Sequence, residues 1–365
     1  MLSAEEFAAW FTLLEAPGVG RGAARRLLAA CGSPERVLSA NPALWREVGG
    51  AEAAAGLAQV SSVVEDRLAV ASAWLAGGDS RHAIAVGDPA YPSLLLQTAD
   101  PPLLLYAQGD PAHLSAPAVA VVGSRHATPQ GEANAQAFSA SLSQHGWVVV
   151  SGLALGIDGA AHEGALQGPA GTVAVVGTGL DRVYPPKHKA LAHRIAQQGC
   201  IVSEYAPGTP ALPLHFPQRN RIIAGLSLGT LVVEAAVQSG SLITARMASE
   251  AGREVFAIPG SIHSPQSKGC HALLKQGAKL VESAEDILEE LRGGAPRQPE
   301  LPLAEEAPPA DPLLQALGHE PVSLDDLLAR TGWPVAELSA RLLNLELEGL
   351  VARLPGAFFQ AIKRG

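Results

Sequence analysis

The run AVAVVG, Ala118 to Gly123, is apolar at every position before its closing glycine and rich in valine. A strand with one wet face alternates apolar and polar residues. A continuous β-branched run instead marks a parallel strand covered on both faces. Five more runs downstream share this character: WVVVSG (147–152), TVAVVG (172–177), CIVSE (200–204), TLVVEA (230–235) and EVFAIPG (254–260). The segments between them have helical character and lengths of about 10–20 residues, as crossovers between parallel strands require. This alternation predicts an α/β fold: a doubly wound, Rossmann-like, mostly parallel sheet.

Working outward, residues 83–117 are Pro-rich and extended and lead into this region, and the α/β domain is expected over 79–292. Residues 1–78 have a helical pattern. Within them FTLLEAPGVGRGAARRLL (11–28) has the form helix, Pro-Gly-Val-Gly turn, helix. It resembles a helix-hairpin-helix of SAM-like type, in which glycine amides at the second helix's start hold a DNA phosphate. Such hairpins serve equally as packing devices, and the acidic surroundings favour that role. Residues 293–311 are rich in Pro, Gly and acids and read as a linker. Residues 312–365 are expected to form a winged helix: three helices and a terminal hairpin, with Leu338, Leu342, Leu345 and Leu350 at helical spacing.

The chain of 365 residues is 47% hydrophobic and 17% charged, which supplies a core and argues against wholesale disorder. Its three cysteines, Cys31, Cys200 and Cys270, lie far apart without CxxC spacing. That excludes a zinc ribbon and fits a reducing compartment. The N-terminal MLSAEEFAAW carries acids where a signal peptide needs positive charge, and no apolar run is long enough to span a bilayer. A cytoplasmic protein without membrane contact is expected. The net charge of −9 conceals a division. Residues 118–281 hold 12 Lys and Arg against 8 Asp and Glu, whereas 1–117 hold 7 against 12 and 282–365 hold 7 against 15. The basic middle is the part suited to a polyanion.

Ligands of open α/β sheets bind where strand C-terminal ends meet helix N-termini. The strand ends here carry Gly123, Ser124 and Arg125; Ser151 and Gly152; Gly179 and Lys187; and Ser239, Gly240, Ser241 and Thr244. The fourth leads into FPQRNRIIAGLS (216–227), where Arg219, Asn220 and Arg221 run directly into an apolar segment. Glycine admits a ligand to the backbone, hydroxyls and amides donate to phosphate oxygens, and arginine pairs with them bidentately. These residues are the expected phosphate-binding set. An ion-pair cluster is the competing reading for Arg219 and Arg221.

Other chemistries are less well supplied. VVGTGLD lacks the third glycine of GxGxxG, and neither a Walker motif nor a GxSxG elbow is present. Asp158 and His162 stand four apart, the spacing of a metal or acid–base pair, but no third ligand accompanies them. The favoured reading is a capping aspartate and a histidine that is either packed or in contact with phosphate. Glu234 ends an apolar strand and reads as a buried carboxylate paired with an arginine. No catalytic residue, cofactor or metal is expected. Leu242, Ile243 and Met247 serve as either core or interface.

The ordered motifs GSR (123–125), SGLALGIDGAAH (151–162), GTGLDRVYPPKH (177–188), FPQRNRIIAGLS (216–227), VVEAAVQSGSLITARMA (232–248), VFAIPGS (255–261) and KGCHALLKQGAKLV (268–281) resemble the DprA/Smf family of DNA-processing proteins. The resemblance is dense over 118–283 and extends to GDPAYPSLL and DPPLLLYAQG upstream. It implies a non-enzymatic protein of natural transformation that binds and protects incoming single-stranded DNA, helps load the RecA recombinase, and acts as a homodimer through its Rossmann-like domain. It places Arg219, Asn220 and Arg221 in the strand-end pocket, with Arg125 and Lys187 in the same groove. The last helix, with Glu337, Glu346 and Glu348 against Arg341, is ill suited to phosphates and points to a protein-binding module. An alternative is a nucleotide phosphoribohydrolase-like enzyme, on the Gly-Thr-x-x-x-Glu shape of GLSLGTLVVEA (225–235), although Leu226, Ser227 and Leu228 stand where such enzymes carry glycines.

Overall fold

In the computed structural model, which describes residues 2–59, 61–292, 312–317, 322–347, 350–354 and 358–361, the six anticipated runs all lie in one nine-stranded sheet. The strands are β1 (Arg81–Ala85), β2 (Leu104–Gly109), β3 (Ala118–Val122), β4 (Val148–Ser151), β5 (Thr172–Val175), β6 (Cys200–Ser203), β7 (Gly229–Val232), β8 (Glu254–Ala257) and β9 (Lys279–Leu280). Their order is β1-β2-β6-β5-β4-β3-β7-β8-β9. From β6 to β9 all neighbours are parallel, while β1 and β2 pair antiparallel to each other and β2 pairs antiparallel to β6.

The order reverses between β3 and β7, which pair directly at Val119–Gly229 through Val122–Val232. At such a switch point the connections leave in opposite directions, and a crevice opens beyond the strand ends. Every residue of β3 is buried, which its continuous apolar run requires. One face packs Ala118, Ala120 and Val122 with Leu105, Val150 and Val175; the other packs Val119 and Val121 with Phe138, Leu142 and Phe256.

The extended reading of 83–117 missed β1 and β2. Their alternation explains how the N-terminal helices attach. Leu105 and Ala107 face the sheet core, while Leu104 and Tyr106 face a second core with Phe7, Phe11 and Trp74. The Tyr106 ring is edge-on to both Phe7 and Trp74, each at 6.3 Å between centroids. Residues 1–294 accordingly make one compact unit.

The expected hairpin at 11–28 is present as helices Ala4–Glu15 and Arg21–Cys31, the first closed by a Ser3/Glu6 capping box. Residues 295–365 form a separate unit. Its helices Pro312–Leu317, Leu324–Thr331 and Val335–Leu347 pack with a three-stranded sheet of β10 (Val322–Ser323), β11 (Val351–Leu354) and β12 (Phe358–Ala361), the winged-helix arrangement. Leu338, Leu342 and Leu345 lie in its core, as their spacing predicts. The linker expected over 293–311 lies outside the described residues, as does Glu348. No helix among the described residues is long and apolar enough to cross a membrane.

Candidate functional site

A cleft of about 470 Å³ opens at the switch point. Two strand ends and one helix build it. After β3 come Gly123, Ser124 and Arg125; after β7, Gln238 to Ser241; from the helix His215–Gly225, Phe216, Arg219 and Asn220. Thr244, one turn into the helix Ser241–Glu250, completes the wall. Nine of the fourteen sequence-selected residues therefore share one cavity: Gly123, Ser124, Arg125, Arg219, Asn220, Ser239, Gly240, Ser241 and Thr244.

The loops are fixed by their own hydrogen bonds. The Ser124 amide donates to the Glu234 carbonyl at 2.8 Å, and the His126 amide donates to Ser124 Oγ at 3.1 Å. The hydroxyls of Ser239 and Ser241 are 2.7 Å apart, and Asn220 Nδ2 donates to the Gly240 carbonyl at 3.3 Å. Asn220 thus ties the helix His215–Gly225 to the β7 loop. Arg125 is exposed, with no ion pair among the described residues, and its guanidinium stands 5.8 Å from the Phe216 ring centroid.

The two arginines of the RNR motif have separate roles. Arg219 is 4% exposed and lies beneath the cleft. Its Nη1 donates to the Gly152 carbonyl at 2.5 Å and to the Val175 carbonyl, and its Nε donates to Asn220 Oδ1 at 3.1 Å. It therefore satisfies carbonyls at the ends of β4 and β5 that the sheet leaves open. Asp158 lies 4.0 Å away and accepts from the Gly152 and Ala154 amides at 3.2 and 3.3 Å. Burial lowers the Arg219 pKa to about 10 and raises that of Asp158; each charge offsets part of the other's penalty. Gly152 is required here, because a Cβ on it would overlap the guanidinium.

Arg221 does not line the cleft. It bonds Glu204 Oε1 at 2.6 Å and Asp100 Oδ2 at 3.0 Å, and the same carboxylates meet Arg21 (Glu204 Oε2 at 3.1 Å, Asp100 Oδ2 at 3.3 Å) and Arg25. Burial opposes the Arg221 charge, but Glu204 and Asp100 outweigh it and hold the pKa above the usual arginine value. The ion-pair reading of this residue is the one its geometry favours. The network also takes up Arg21 and Arg25, two of the three arginines of the hairpin's second helix, so the hairpin serves as a brace against the α/β domain. Arg221→Ala is expected to lower stability by about 2–3 kcal/mol, since Glu204 keeps only Arg21 as partner. Its single-strand affinity should stay within about twofold, a change of ~0.4 kcal/mol. Urea unfolding beside a fluorescence-anisotropy titration checks both halves.

Four other expected residues stand elsewhere. Ser151 is fully buried and donates to the Val121 carbonyl at 2.6 Å, as a strand residue between neighbours must. Gly152 is covered by Arg219. Gly179 is packed against Asp181 and the Ala206 carbonyl. Lys187 lies in a more open groove of about 810 Å³, which it shares with Arg125; Arg125 thus belongs to both cavities.

His162 is the packed alternative: fully buried, its Nδ1 2.7 Å from Thr172 Oγ1, and held neutral by burial with a pKa of about 3. Asp158 does not cap its helix in the ordinary way, since Gly156 is the N-cap. Glu234 corrects the sequence reading. Its partner is Thr128 rather than an arginine: Oε2 accepts from the Thr128 amide at 2.9 Å and Oε1 from the Thr128 hydroxyl at 2.6 Å. It anchors the helix Pro129–Gln144, with Gly131 closely packed on its carboxylate.

Aromatic residues at the rim went unassigned. Tyr184, 49% exposed, packs on Phe216 at 5.4 Å between centroids, and Tyr205 stacks on His215 at 3.9 Å. The available signal was scarcity: in a chain with 4% aromatics, Tyr184 and Phe216 each precede a proline in the connections beyond the strand ends.

Fold and site together define a Rossmann-like protein with a cationic, hydroxyl- and amide-lined crevice at its switch point and a winged helix appended. The family model for DNA recombination-mediator protein A matches residues 82–292, and that for the DprA winged helix domain matches 297–357. Protein Smf of Escherichia coli K12 is 44% identical over 288 residues, covering 76% of this chain and 77% of that protein. DNA processing protein DprA of Streptococcus pneumoniae R6 is 50% identical over 203 residues, 56% of this chain and 72% of that one. The X-ray structure of the pneumococcal protein superposes with a TM-score of 0.69 at 38% identity, over 78% of this chain and 97% of that one. A Helicobacter pylori DNA processing protein A structure, described for its single-stranded DNA binding mode, gives 0.53 at 30% identity over 58% and 96%. The chain belongs to the DprA/Smf family of DNA-processing proteins.

Proposed function

We propose that this protein is a single-stranded DNA-binding recombination mediator whose switch-point cleft grips the strand without cutting it. One observation carries the reading: an exposed Arg125, in no ion pair among the described residues, stands over Phe216 at the mouth of a cleft walled by Ser239, Ser241, Thr244 and Asn220. Hydroxyls, amides and a free guanidinium suit phosphate oxygens, while Phe216 and Tyr184 offer faces to unpaired bases. A duplex keeps its base faces stacked and cannot use such a platform. The similarity to a Helicobacter pylori protein described by its single-stranded DNA binding mode supports the same assignment. The test is anisotropy with oligothymidylate and a matched duplex across a salt series. Steeply salt-dependent binding that favours the single strand is expected; equal affinity for duplex would sink the reading.

Protection of DNA entering the cell, delivery of the strand to RecA and self-association through the α/β domain complete the proposal, on the strength of family membership. RecA filament assembly on a strand coated by a single-strand-binding protein, with and without this chain, tests the delivery. Sedimentation of residues 1–294 against the full chain tests the self-association.

The phosphoribohydrolase alternative needs Glu234 free to act on a sugar. Both of its oxygens accept from Thr128, and it is not among the cleft's lining residues, which disfavours that reading.

The winged helix presents Val335 and Leu343, each 55% exposed, together with exposed Glu337 and Glu346. Exposed acids and apolar side chains do not suit phosphates, so a protein contact fits this helix better. Removing residues 296–365 should leave single-strand affinity within about twofold, or ~0.4 kcal/mol. A large loss in a gel-shift assay would place part of the DNA site in that unit.

A further inference from the structure

A second cavity, of about 550 Å³, lies between β1–β2, the helix Lys189–Gln198 and the loop 180–186. Its lining is divided chemically. Leu153, Val176, Leu180 and Ile201 form an apolar wall. Trp74 closes one part, with the Arg81 guanidinium 5.2 Å from its ring centroid. Lys189 and His193, four residues apart on one helix and both exposed, take no part in an ion pair among the described residues. The Gln108 side chain, half-buried, also lines the cavity.

Asp181 and Arg182, paired with each other at 2.8 Å, line the cavity as well, so the Asp181 carboxylate is already neutralised. An apolar wall with convergent polar groups at a junction of structural layers is the build of a small-ligand site. The Lys189 ammonium, with the His193 ring beside it as a further donor, calls for an anion; an apolar wall suits a ring; an amide suits a ring edge bearing donors and acceptors.

The backbone beside it is unusual. Leu153, at φ 59°, is the one non-glycine residue with positive φ among those described. A bulky side chain rarely adopts that conformation, which holds only where its surroundings impose it. Here the Asp158 carboxylate accepts the amides on either side of it, from Gly152 and Ala154. The outcome is a two-sided turn: Ala154 lines the switch-point cleft, and Leu153 lines the second cavity.

We propose that this second cavity is a nucleotide site: the base rests on the Leu153–Val176–Leu180–Ile201 wall and the phosphate meets Lys189 and His193. The inference does not require the first cleft to bind DNA. The occupant's chemistry, a base joined to a phosphate, has two sources: a free mononucleotide, or one nucleotide of a strand passing over from the groove beside Lys187.

Calorimetric titration of the full chain with thymidine monophosphate, at low salt, tests the site. The wild type and Arg125→Glu should bind alike, while Lys189→Glu/His193→Glu should bind at least about tenfold more weakly, a difference of ~1.4 kcal/mol. Leu180→Trp, which narrows the cavity at a half-exposed position and changes no charge, should weaken binding similarly. If the occupant is instead a nucleotide of a bound strand, thymidine monophosphate gives no heat, and both altered proteins protect a shorter stretch of oligothymidylate from nuclease. The proposal fails if Arg125→Glu abolishes mononucleotide binding, which would put the ligand in the first cleft. It fails equally if neither mononucleotide affinity nor the protected length responds to changes at Lys189, His193 and Leu180.

Discussion

Replacing Arg219 by alanine is expected to destabilise the protein by about 3–5 kcal/mol, the usual cost of leaving one member of a buried ion pair alone. At roughly 2–4 °C per kcal/mol for a domain of about 150–250 residues, the melting temperature should fall by roughly 6–20 °C. Three losses combine. The Gly152 and Val175 carbonyls lose their donor, Asp158 is left buried without its counterion, and a cavity opens beneath Gly152. Lysine should recover only part, because one ammonium cannot match a planar guanidinium that reaches two carbonyls and the Asn220 amide oxygen. Adding Asp158→Asn to Arg219→Ala should restore part of the loss, since a neutral amide no longer needs a buried cation. A calorimetric melt decides it: an unchanged melting temperature with lost DNA affinity would make Arg219 a DNA ligand and not a structural brace.

Arg125→Glu should do the reverse. Arg125 is exposed, stands over Phe216 and is shared by the cleft and the groove of Lys187. Reversing its charge is expected to weaken single-strand binding roughly 10- to 100-fold at low salt, or ~1.4–2.7 kcal/mol. With alanine in its place, the slope of log affinity against log salt should become shallower by about 0.7, the value for one phosphate contact on a single strand. Stability should stay within about 0.5 kcal/mol, as for an exposed side chain with no ion pair among the described residues. Anisotropy at four salt concentrations, beside a melt, measures all three. Unaltered affinity and slope would remove this cleft from the DNA path. Read as a pair, the two variants separate an arginine that builds the site from one that uses it.

The motif FPQRNRIIAGLS illustrates how far sequence reasoning reached. Placing both arginines at the strand-end pocket put Asn220 correctly on its wall. It could not divide their labour, because two residues apart on a helix point about 200° apart around the axis. Arg219 turns under the sheet edge, and Arg221 turns toward Asp100 and Glu204, which lie 121 and 17 residues away in sequence. Nothing local announces those partners. The helical hairpin was read as a packing device more than a DNA contact, but its bracing partners lay equally out of reach: Arg21 and Arg25 meet the acids that Arg221 also uses. Glu234 was assigned to an arginine on charge alone, whereas Thr128 reaches it from a helix start 106 residues upstream.

By itself the sequence determined the doubly wound sheet, the winged helix and the neighbourhood of the cleft. Each rests on short-range information: residue periodicity, turn chemistry and the rule that ligands gather beyond parallel strand ends. Tertiary structure alone decided which cations remain free. A guanidinium is charged wherever it stands, but whether it faces solvent or a buried carboxylate depends on residues brought together by strand order. That order placed Arg125 at an open switch point, closed Arg219 beneath Gly152, and set Trp74 and Lys189 around a cavity that no linear spacing foretells.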